Sequence, residues 1–179
     1  AENLLEIRPT VMASVPRLFE KIYTRIIDSV EEGPQVKRKL FYWAVKTGRQ
    51  KTICRQKKRS PSLWLRLKFS IADKLVFSKI KAKLGGRMKF CVSGGAPLAK
   101  EIGEFFTAIG LLILEGYGLT ETSPIISVNR LDNFKFGTVG LPLDNIEVKI
   151  AEDGEILTRG PHVMQGYYNK EANTRAIID

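Results

Sequence analysis

The chain has 179 residues, of which 44% are hydrophobic and 27% are charged. This composition is typical of one folded domain, or of one domain with an appendage, and it excludes a disordered, collagenous or disulfide-scaffold protein. The longest aliphatic run, residues 111–114, is far shorter than a membrane-spanning helix requires. The N-terminus has no initiator Met and no signal-like segment, so the sequence reads as a piece of a longer protein. Its two cysteines show no metal or disulfide pattern, which is expected in a reducing cytoplasm.

The net charge of +10 is concentrated in one segment. Residues 34–89 contain 18 Lys or Arg and a single acid, Asp73, so the rest of the chain carries a net charge of −7. Apolar residues at helical spacing predict two helices here, at about 36–54 and 63–84, separated where Pro61 disfavours helix in the preceding residue. The sequence therefore predicts a basic helical hairpin.

Three interpretations of the hairpin stay open. The first is a solvated face that keeps the protein soluble, as charge runs usually do. The second is an amphipathic element on an anionic membrane surface, because Trp64, Phe69 and Phe77 lie among the cations. The third, nucleic-acid binding, is less expected, because no helix-turn-helix, RRM or KH pattern accompanies the charge.

The pattern after residue 87 is strand, turn, helix and strand. Residues 88–92 are typical of a short buried strand, 93–97 of a tight turn, 98–109 of an amphipathic helix and 111–114 of a second strand. Strands joined in this way are parallel and end at the same edge of a sheet. Each of these ends carries a glycine-rich turn, the second at residues 115–124. In open α/β sheets the crevice outside these ends binds ligands.

The last third of the chain has the pattern of a β-hairpin. Residues 146–150 alternate strictly, Asp153-Gly154 is a turn signal, and 155–159 supply the return strand. We therefore predict an α/β fold: a parallel strand-helix-strand subdomain at 1–133 with the basic hairpin inserted at about 34–86, and a small β-rich appendage at 134–179, truncated at its C-terminal end.

The second glycine-rich turn contains side chains that suit a nucleotide. Tyr117 is flanked by Gly116 and Gly118, so its ring can stand free and stack on a base. Thr120 can donate to a phosphate oxygen, and Glu121 can hold Mg²⁺. The alternative is a loop in which Thr120 and Glu121 only cap the backbone.

The first turn contains Gly94 and Gly95, which would let a nucleotide approach the main chain closely. It is not a Walker loop, because no Gly-Lys-Ser or Gly-Lys-Thr follows at the required spacing. A Gly-Gly turn between a strand and a helix more often serves packing than binding. His162, the only histidine, lacks the partners that acid–base catalysis requires, so we expect a structural role.

Three ordered motifs resemble those of the AMP-forming acyl-CoA synthetases, the adenylate-forming ligases. They are SGGAPL at 93–98, GYGLTETSP at 116–124, and GEI, RGP and GYY within 154–168. The likeness covers nearly the whole chain, and the long connection between residues 19 and 93 is most similar to the long-chain fatty acid branch. The resemblance implies that ATP, a fatty acid and CoA give acyl-CoA, AMP and pyrophosphate through an acyl-adenylate, with Mg²⁺ bound.

The resemblance also implies roles for individual residues. The nucleotide would be bound by Gly94, Gly95, Ala96, Glu115, Gly116, Tyr117, Gly118 and Thr120. Tyr117 would stack on the adenine, Thr120 would contact the α-phosphate and Glu121 would hold Mg²⁺, so Thr120 and Glu121 are the catalytic candidates. Glu115 stands where many relatives carry an amide that reads the adenine amino group.

The sequence also departs from the family pattern. It lacks the Ser/Thr/Gly-rich phosphate loop, the Thr-Gly-Asp motif and the C-terminal lysine of the family. We therefore expect an internal fragment that holds half of the site and is inactive alone. The alternatives are an adenylating enzyme for an aryl or amino acid, and a non-catalytic module that binds membrane or nucleic acid. Pairing of two copies through the sheet and peripheral membrane contact of a cytoplasmic protein also stay open.

Overall fold

The computed structural model describes residues 2–178 and confirms the α/β class. The helices are α1 (Glu2–Ile7), α2 (Pro16–Glu31), α3 (Gln35–Gln56), α4 (Leu63–Ala72), α5 (Ser78–Lys83), α6 (Lys100–Ala108) and α7 (Glu171–Arg175). The strands are β1 (Val11–Ser14), β2 (Phe90–Ser93), β3 (Leu112–Tyr117), β4 (Ser127–Val128), β5 (Leu141–Pro142), β6 (Glu147–Ile150) and β7 (Ile156–Arg159).

The main sheet has five strands in the order β1-β2-β3-β4-β5. The predicted parallel pairing of β2 with β3 is confirmed, and β1 adds a third parallel strand on the other side of β2. The sequence does not predict β1, because only Val11 in its four residues strongly favours a strand. Helices α2 to α5 all lie in the crossover from β1 to β2. The basic hairpin is therefore part of a βαβ connection.

Both predicted helices of the hairpin are present, but the second is interrupted. Instead of one helix at 63–84, α4 and α5 are joined by a π-helical turn at Asp73–Phe77, closed by the bond from Ser78 N to Asp73 O. The wider turn takes one extra residue without breaking the helix. The inward residues Phe69, Ala72 and Phe77 thus stay against the core on both sides of it.

The core lies between the helices and the parallel strands. Phe19 of α2 meets Phe106 of α6 edge to face, with ring centroids 6.0 Å apart, and Phe105 stands at 5.4 Å from Phe106. Helices α3 and α6 approach so closely that a Cβ on Gly48 would lie 2.1 Å from the carbonyl oxygen of Ala108. The hairpin is therefore held against the helix that links β2 to β3.

The predicted β-hairpin near the C-terminus is confirmed as β6 paired antiparallel with β7. Strand β5 pairs antiparallel with β4, so the main sheet extends past residue 133, where the sequence places a domain boundary. The boundary itself stays a prediction. Between residues 2 and 178 no helix combines the length and apolarity needed to cross a membrane.

Candidate nucleotide site

The two glycine-rich turns leave the main sheet at the same edge. Ser93 at the end of β2 is in register with Glu115 of β3, so the chain leaves both strands side by side. Gly94 N donates to Ser14 O over 3.2 Å, and a Cβ on Gly94 would lie 3.7 Å from Gly116 O. The carboxyl ends of all three parallel strands therefore meet where α/β sheets bind ligands.

Glycine is sterically required in the second turn. A Cβ on Gly118 would lie 1.7 Å from the carbonyl oxygen of Pro124, because the chain returns along its own backbone to form β4. A Cβ on Gly116 would lie 3.4 Å from Ser127 O, in tight but ordinary contact. The structure thus gives a steric reason for glycine at position 118, and the role of Gly116 in shaping the loop stays a prediction.

The surface between the turns is open main chain. Gly95 adopts a φ of +82°, which L side chains rarely tolerate, and both Gly95 and Ala96 are exposed. Tyr117 is half-buried, and the exposed Thr120 begins a short 3₁₀ turn, Thr120–Thr122. The buried Thr122 fixes this turn, because its hydroxyl oxygen accepts from Leu119 N over 2.9 Å. A flat ligand can therefore approach the backbone at this edge.

Glu115 is buried and faces the protein backbone. Its carboxylate accepts hydrogen bonds from Leu98 N over 3.4 Å and from Gly137 N over 3.3 Å. Burial raises the pKa of the Glu115 carboxyl above its ordinary value, and the two hydrogen bonds oppose the shift. Glu115 thus ties the turn after β2 to the loop before β5. Its contact with adenine stays a prediction.

Glu121 is held by the segment that follows the β-hairpin. The hydroxyl of Tyr167 donates to Glu121 Oε1 over 2.8 Å, and Met164 N donates to Glu121 O over 2.8 Å. The hydrogen bond from Tyr167 is the main cause that lowers the pKa of the Glu121 carboxyl, so this group is ionised at neutral pH. An ionised, half-exposed carboxylate fits Mg²⁺, which proteins commonly bind through one or two carboxylates together with substrate phosphates.

Sequence reasoning did not assign three polar residues near this edge. Tyr167 is hydrogen-bonded to Glu121 although 46 positions separate the two residues in the sequence, so no local pattern predicts the pair. Asn129 is buried and accepts from Lys135 N over 3.0 Å, which shapes the loop that reaches Glu115. The buried hydroxyl of Ser93 has no hydrogen-bond partner within the part of the chain that the structure describes. A Ser at the last position of a buried strand is the one signal that the sequence offers.

His162 is buried and pairs with the β-hairpin. Its Nε2 lies 2.8 Å from the hydroxyl oxygen of Thr158, which in turn donates to the carbonyl oxygen of Glu147. Since the Thr158 proton is already used, His162 Nε2 carries the hydrogen and donates. This arrangement agrees with the structural role expected for His162.

Comparison with known proteins identifies the class to which this fold and site belong. A profile described as "AMP-binding enzyme" matches residues 1–168, so the chain belongs to the AMP-binding enzyme family. The chain is 41% identical over 174 residues to the long-chain-fatty-acid–CoA ligase FadD15 of Mycobacterium bovis, covering 96% of this chain and 28% of that protein. It is 39% identical over 194 residues to the peroxisomal long chain acyl-CoA synthetase 6 of Arabidopsis thaliana, covering 99% and 26%. The resemblance to acyl-CoA synthetases is confirmed.

Solved structures share the fold. A benzoate CoA ligase from Burkholderia xenovorans LB400 matches with a TM-score of 0.59 and 24% identity, covering 98% of this chain and 27% of that one. A long-chain-fatty-acid-CoA ligase (FadD1) from Archaeoglobus fulgidus matches with a TM-score of 0.53 and 19% identity, covering 98% and 29%. The chain thus spans between 26% and 29% of the length of these four relatives.

Proposed function

We propose that this chain supplies the adenine, α-phosphate and Mg²⁺ half of the active site of a long-chain fatty acid CoA ligase. In that reaction a fatty acid carboxylate attacks the α-phosphorus of ATP, pyrophosphate leaves, and the CoA thiol then displaces AMP from the acyl-adenylate. The observation that carries the proposal is the contact of two glycine-rich turns at the carboxyl edge of parallel strands. The 41% identity to a long-chain-fatty-acid–CoA ligase supports a long acyl chain over an aryl or amino acid.

Adenine binding follows from the open main chain at this edge. The ring would lie along Gly94, Gly95 and Ala96, none of which carries a side chain larger than a methyl group. Tyr117 would cover it by stacking, which contributes about 1–3 kcal/mol per base. Glu115 would hold the first turn in place, because its carboxylate joins Leu98 N after β2 to Gly137 N in the loop before β5.

Two side chains of the 3₁₀ turn would act on the phosphates. The exposed hydroxyl of Thr120 would donate to an α-phosphate oxygen, and the Glu121 carboxylate would hold Mg²⁺. When bound, Mg²⁺ neutralises charge that develops on the phosphate oxygens. Because both residues sit on one short turn that Thr122 fixes, hydroxyl and carboxylate are positioned before the nucleotide arrives.

Nucleotide binding by the chain itself tests the proposal. Isothermal titration with AMP, and with ATP with and without Mg²⁺, should show binding that Tyr117→Ala weakens by about tenfold through loss of a stacked base. Glu121→Gln should leave AMP binding unchanged without metal and remove the gain in ATP affinity that Mg²⁺ gives. Tyr168→Ala is the matched control, because Tyr168 is 90% exposed and lies outside both turns.

The result that rejects the proposal is a folded chain, with native circular dichroism, that binds neither nucleotide. Equal losses in Tyr117→Ala and Tyr168→Ala would reject the assignment of the stacking residue alone. We also expect no acyl-CoA from the 179-residue chain with ATP, palmitate and CoA, because the family's phosphate loop is not in its sequence. Detection of thioester product would overturn that expectation.

The proposal extends to the setting of the protein. It includes CoA as co-substrate, a cytoplasmic location, peripheral contact with a membrane through the basic hairpin, and a homodimer. Cys54 and Cys91 are both free thiols, which supports a reducing compartment.

Strand β1 lies at the outer end of the main sheet, which leaves an edge on which a second copy can pair. Sedimentation velocity measures the dimer directly, and a monomer at all concentrations would exclude it.

A further inference from the structure

The outer face of α4 is apolar although it faces solvent. It consists of Leu63, Trp64, Leu67, Ile71 and, in the π turn, Leu75. Leu63 is 80% exposed and Trp64 is 73% exposed, while the opposite side of the same helix packs on the core through Phe69 and Ala72. A contiguous exposed apolar stripe of this kind marks an interaction surface more often than chance exposure.

Cations border this stripe along the helix. Arg66, Lys68 and Lys74 are exposed on both sides of it. The one acid of the whole hairpin, Asp73, is paired with Lys81 over 2.6 Å, so it does not offset the cations at the surface. The stripe thus combines exposed hydrocarbon with a positive border.

The tip of the hairpin adds further charge next to Trp64. Residues 57–59, Lys-Lys-Arg, are all exposed and follow directly on α3. Lys58 adopts a φ of +51° and its N–H bonds to Arg55 O over 3.0 Å, a helix ending in which glycine is usual. A shallow hollow of about 310 Å³ between α3 and α4 brings Ile53 and Trp64 together beside this tip.

We propose that the outer face of α4 and the tip at 57–59, together the lipid face, dock on an anionic phospholipid bilayer. The apolar side chains would enter the interface between headgroups and acyl chains, with Trp64 at headgroup level and the cations on the phosphates. This inference assigns residues to the membrane contact of the proposed function, and it can succeed or fail without any nucleotide being bound.

An anionic bilayer matches the lipid face better than a nucleic acid or a second copy of the chain does. A nucleic acid would satisfy the cations but would leave the leucines and Trp64 without apolar contact. A second copy of the same face would bring two strongly positive surfaces together. A surface with negative charge outside and hydrocarbon beneath matches both parts of the lipid face.

Vesicle binding by the full chain tests the proposal. Vesicles with equal parts of phosphatidylcholine and phosphatidylserine should bind the chain, and pure phosphatidylcholine vesicles should bind it at least about tenfold more weakly, since each cation near an anionic surface strengthens binding about fivefold. High salt should reverse most of the binding. The fluorescence of Trp64 should shift to shorter wavelength as its ring leaves water.

Two matched pairs of variants locate the contact. Lys57→Glu with Lys58→Glu should weaken binding by at least about 25-fold. Lys149→Glu with Lys170→Glu changes the net charge by the same amount at exposed positions outside the hairpin, and it should have little effect. Likewise Trp64→Ser should weaken binding, whereas Tyr168→Ser, at a still more exposed aromatic residue, should not.

Circular dichroism shows for each variant that the fold is retained. The proposal is overturned if both charge pairs weaken binding equally, because the effect would then be one of net charge only. It is also overturned if neutral vesicles bind as well as anionic ones, or if a DNA or RNA duplex binds more tightly and Trp64→Ser does not matter. A dimer that Trp64→Ser dissociates, without vesicle binding, would show that the face pairs with itself.

Discussion

The carboxyl edge of the main sheet, where the two glycine-rich turns lie, and the basic hairpin use their residues in opposite ways. At the sheet edge the proposed nucleotide contacts are made largely by the backbone, and Gly118 has no room for even a methyl group. In the hairpin the backbone is α-helical apart from the π turn and the left-handed Lys58, and the proposed lipid contacts are made by the exposed side chains of α4 and of residues 57–59. Substitutions at the sheet edge should therefore act on conformation first, whereas substitutions in the hairpin should act on binding first.

The largest loss of stability is expected where a new side chain would collide with the backbone at the sheet edge. Gly118→Ala places a Cβ 1.7 Å from Pro124 O, so two backbone segments must move apart. We expect the free energy of unfolding to fall by about 3 kcal/mol, measured by urea denaturation. Gly94→Ala is the control, because its Cβ meets only Gly116 O at 3.7 Å. It should cost less than about 1 kcal/mol and still obstruct AMP. Equal losses in the two variants would contradict the steric account.

The second largest effect is expected at the tip of the basic hairpin, where stability and vesicle binding should change in opposite directions. Lys58→Gly removes a side chain from a residue in the left-handed region, which should raise the free energy of unfolding by about 0.5–1 kcal/mol. The same change should lower affinity for phosphatidylserine vesicles about fivefold. Lys57→Gly, at a residue with a φ of −82°, should lower vesicle affinity similarly without any gain in stability. A loss of stability in Lys58→Gly would contradict the assigned helix ending.

A smaller effect concerns the pH dependence of stability at the sheet edge. Because burial raises the pKa of Glu115 in the folded state, the folded state holds its proton more tightly than the unfolded state. Stability should therefore fall as pH rises from about 4, the ordinary Glu value, through the raised pKa. Glu115→Gln cannot titrate, so it should match the parent at acidic pH and become the more stable chain above that window. If the free energies of unfolding of the two chains changed with pH in the same way, the pKa of Glu115 would not be raised in the folded state.

The smallest effect involves no change in fold. Tyr167→Phe removes the donor to Glu121, so the pKa of the Glu121 carboxyl should rise toward its ordinary value. Carbon-detected NMR of the side-chain carboxyl measures this titration. Tyr168→Phe should leave it unchanged, because Tyr168 is 90% exposed and no hydrogen bond joins it to the Glu121 carboxylate within residues 2–178. An unshifted titration in Tyr167→Phe would mean that the hydrogen bond is not formed in solution.

Local patterns predicted the parts of the fold that local forces decide. Strands β2 and β3, helix α6 and the turns between them follow from apolar runs and glycine positions, and their parallel pairing follows from the handedness of the crossover. Strand β1 was not predicted because it depends on pairing with β2, and only Val11 among its four residues strongly favours a strand. The π turn depends on how Phe77 meets the core, which spacing alone does not specify.

The candidate site divides in the same way. The meeting of the two glycine-rich turns could be predicted, since it follows from parallel strands. The partners of Glu115 and Glu121 could not, because Gly137 and Tyr167 reach them from loops far along the chain. The sequence predicted which residues bind a nucleotide, and the tertiary contacts showed that two of them, Glu115 and Glu121, are hydrogen-bonded to other parts of the protein.

The close approach of Gly48 to Ala108 has a consequence for geometry at a membrane. With backbone against backbone, α3 cannot swing as an independent arm, and only three residues connect α6 to β3. Docking of α4 on a bilayer, as proposed, would therefore fix the tilt of the entire sheet. In the proposed ligase a fatty acid drawn from that bilayer would then approach from one direction, and a bulkier residue at position 48 would disturb this alignment, because its Cβ would collide with the backbone of Ala108.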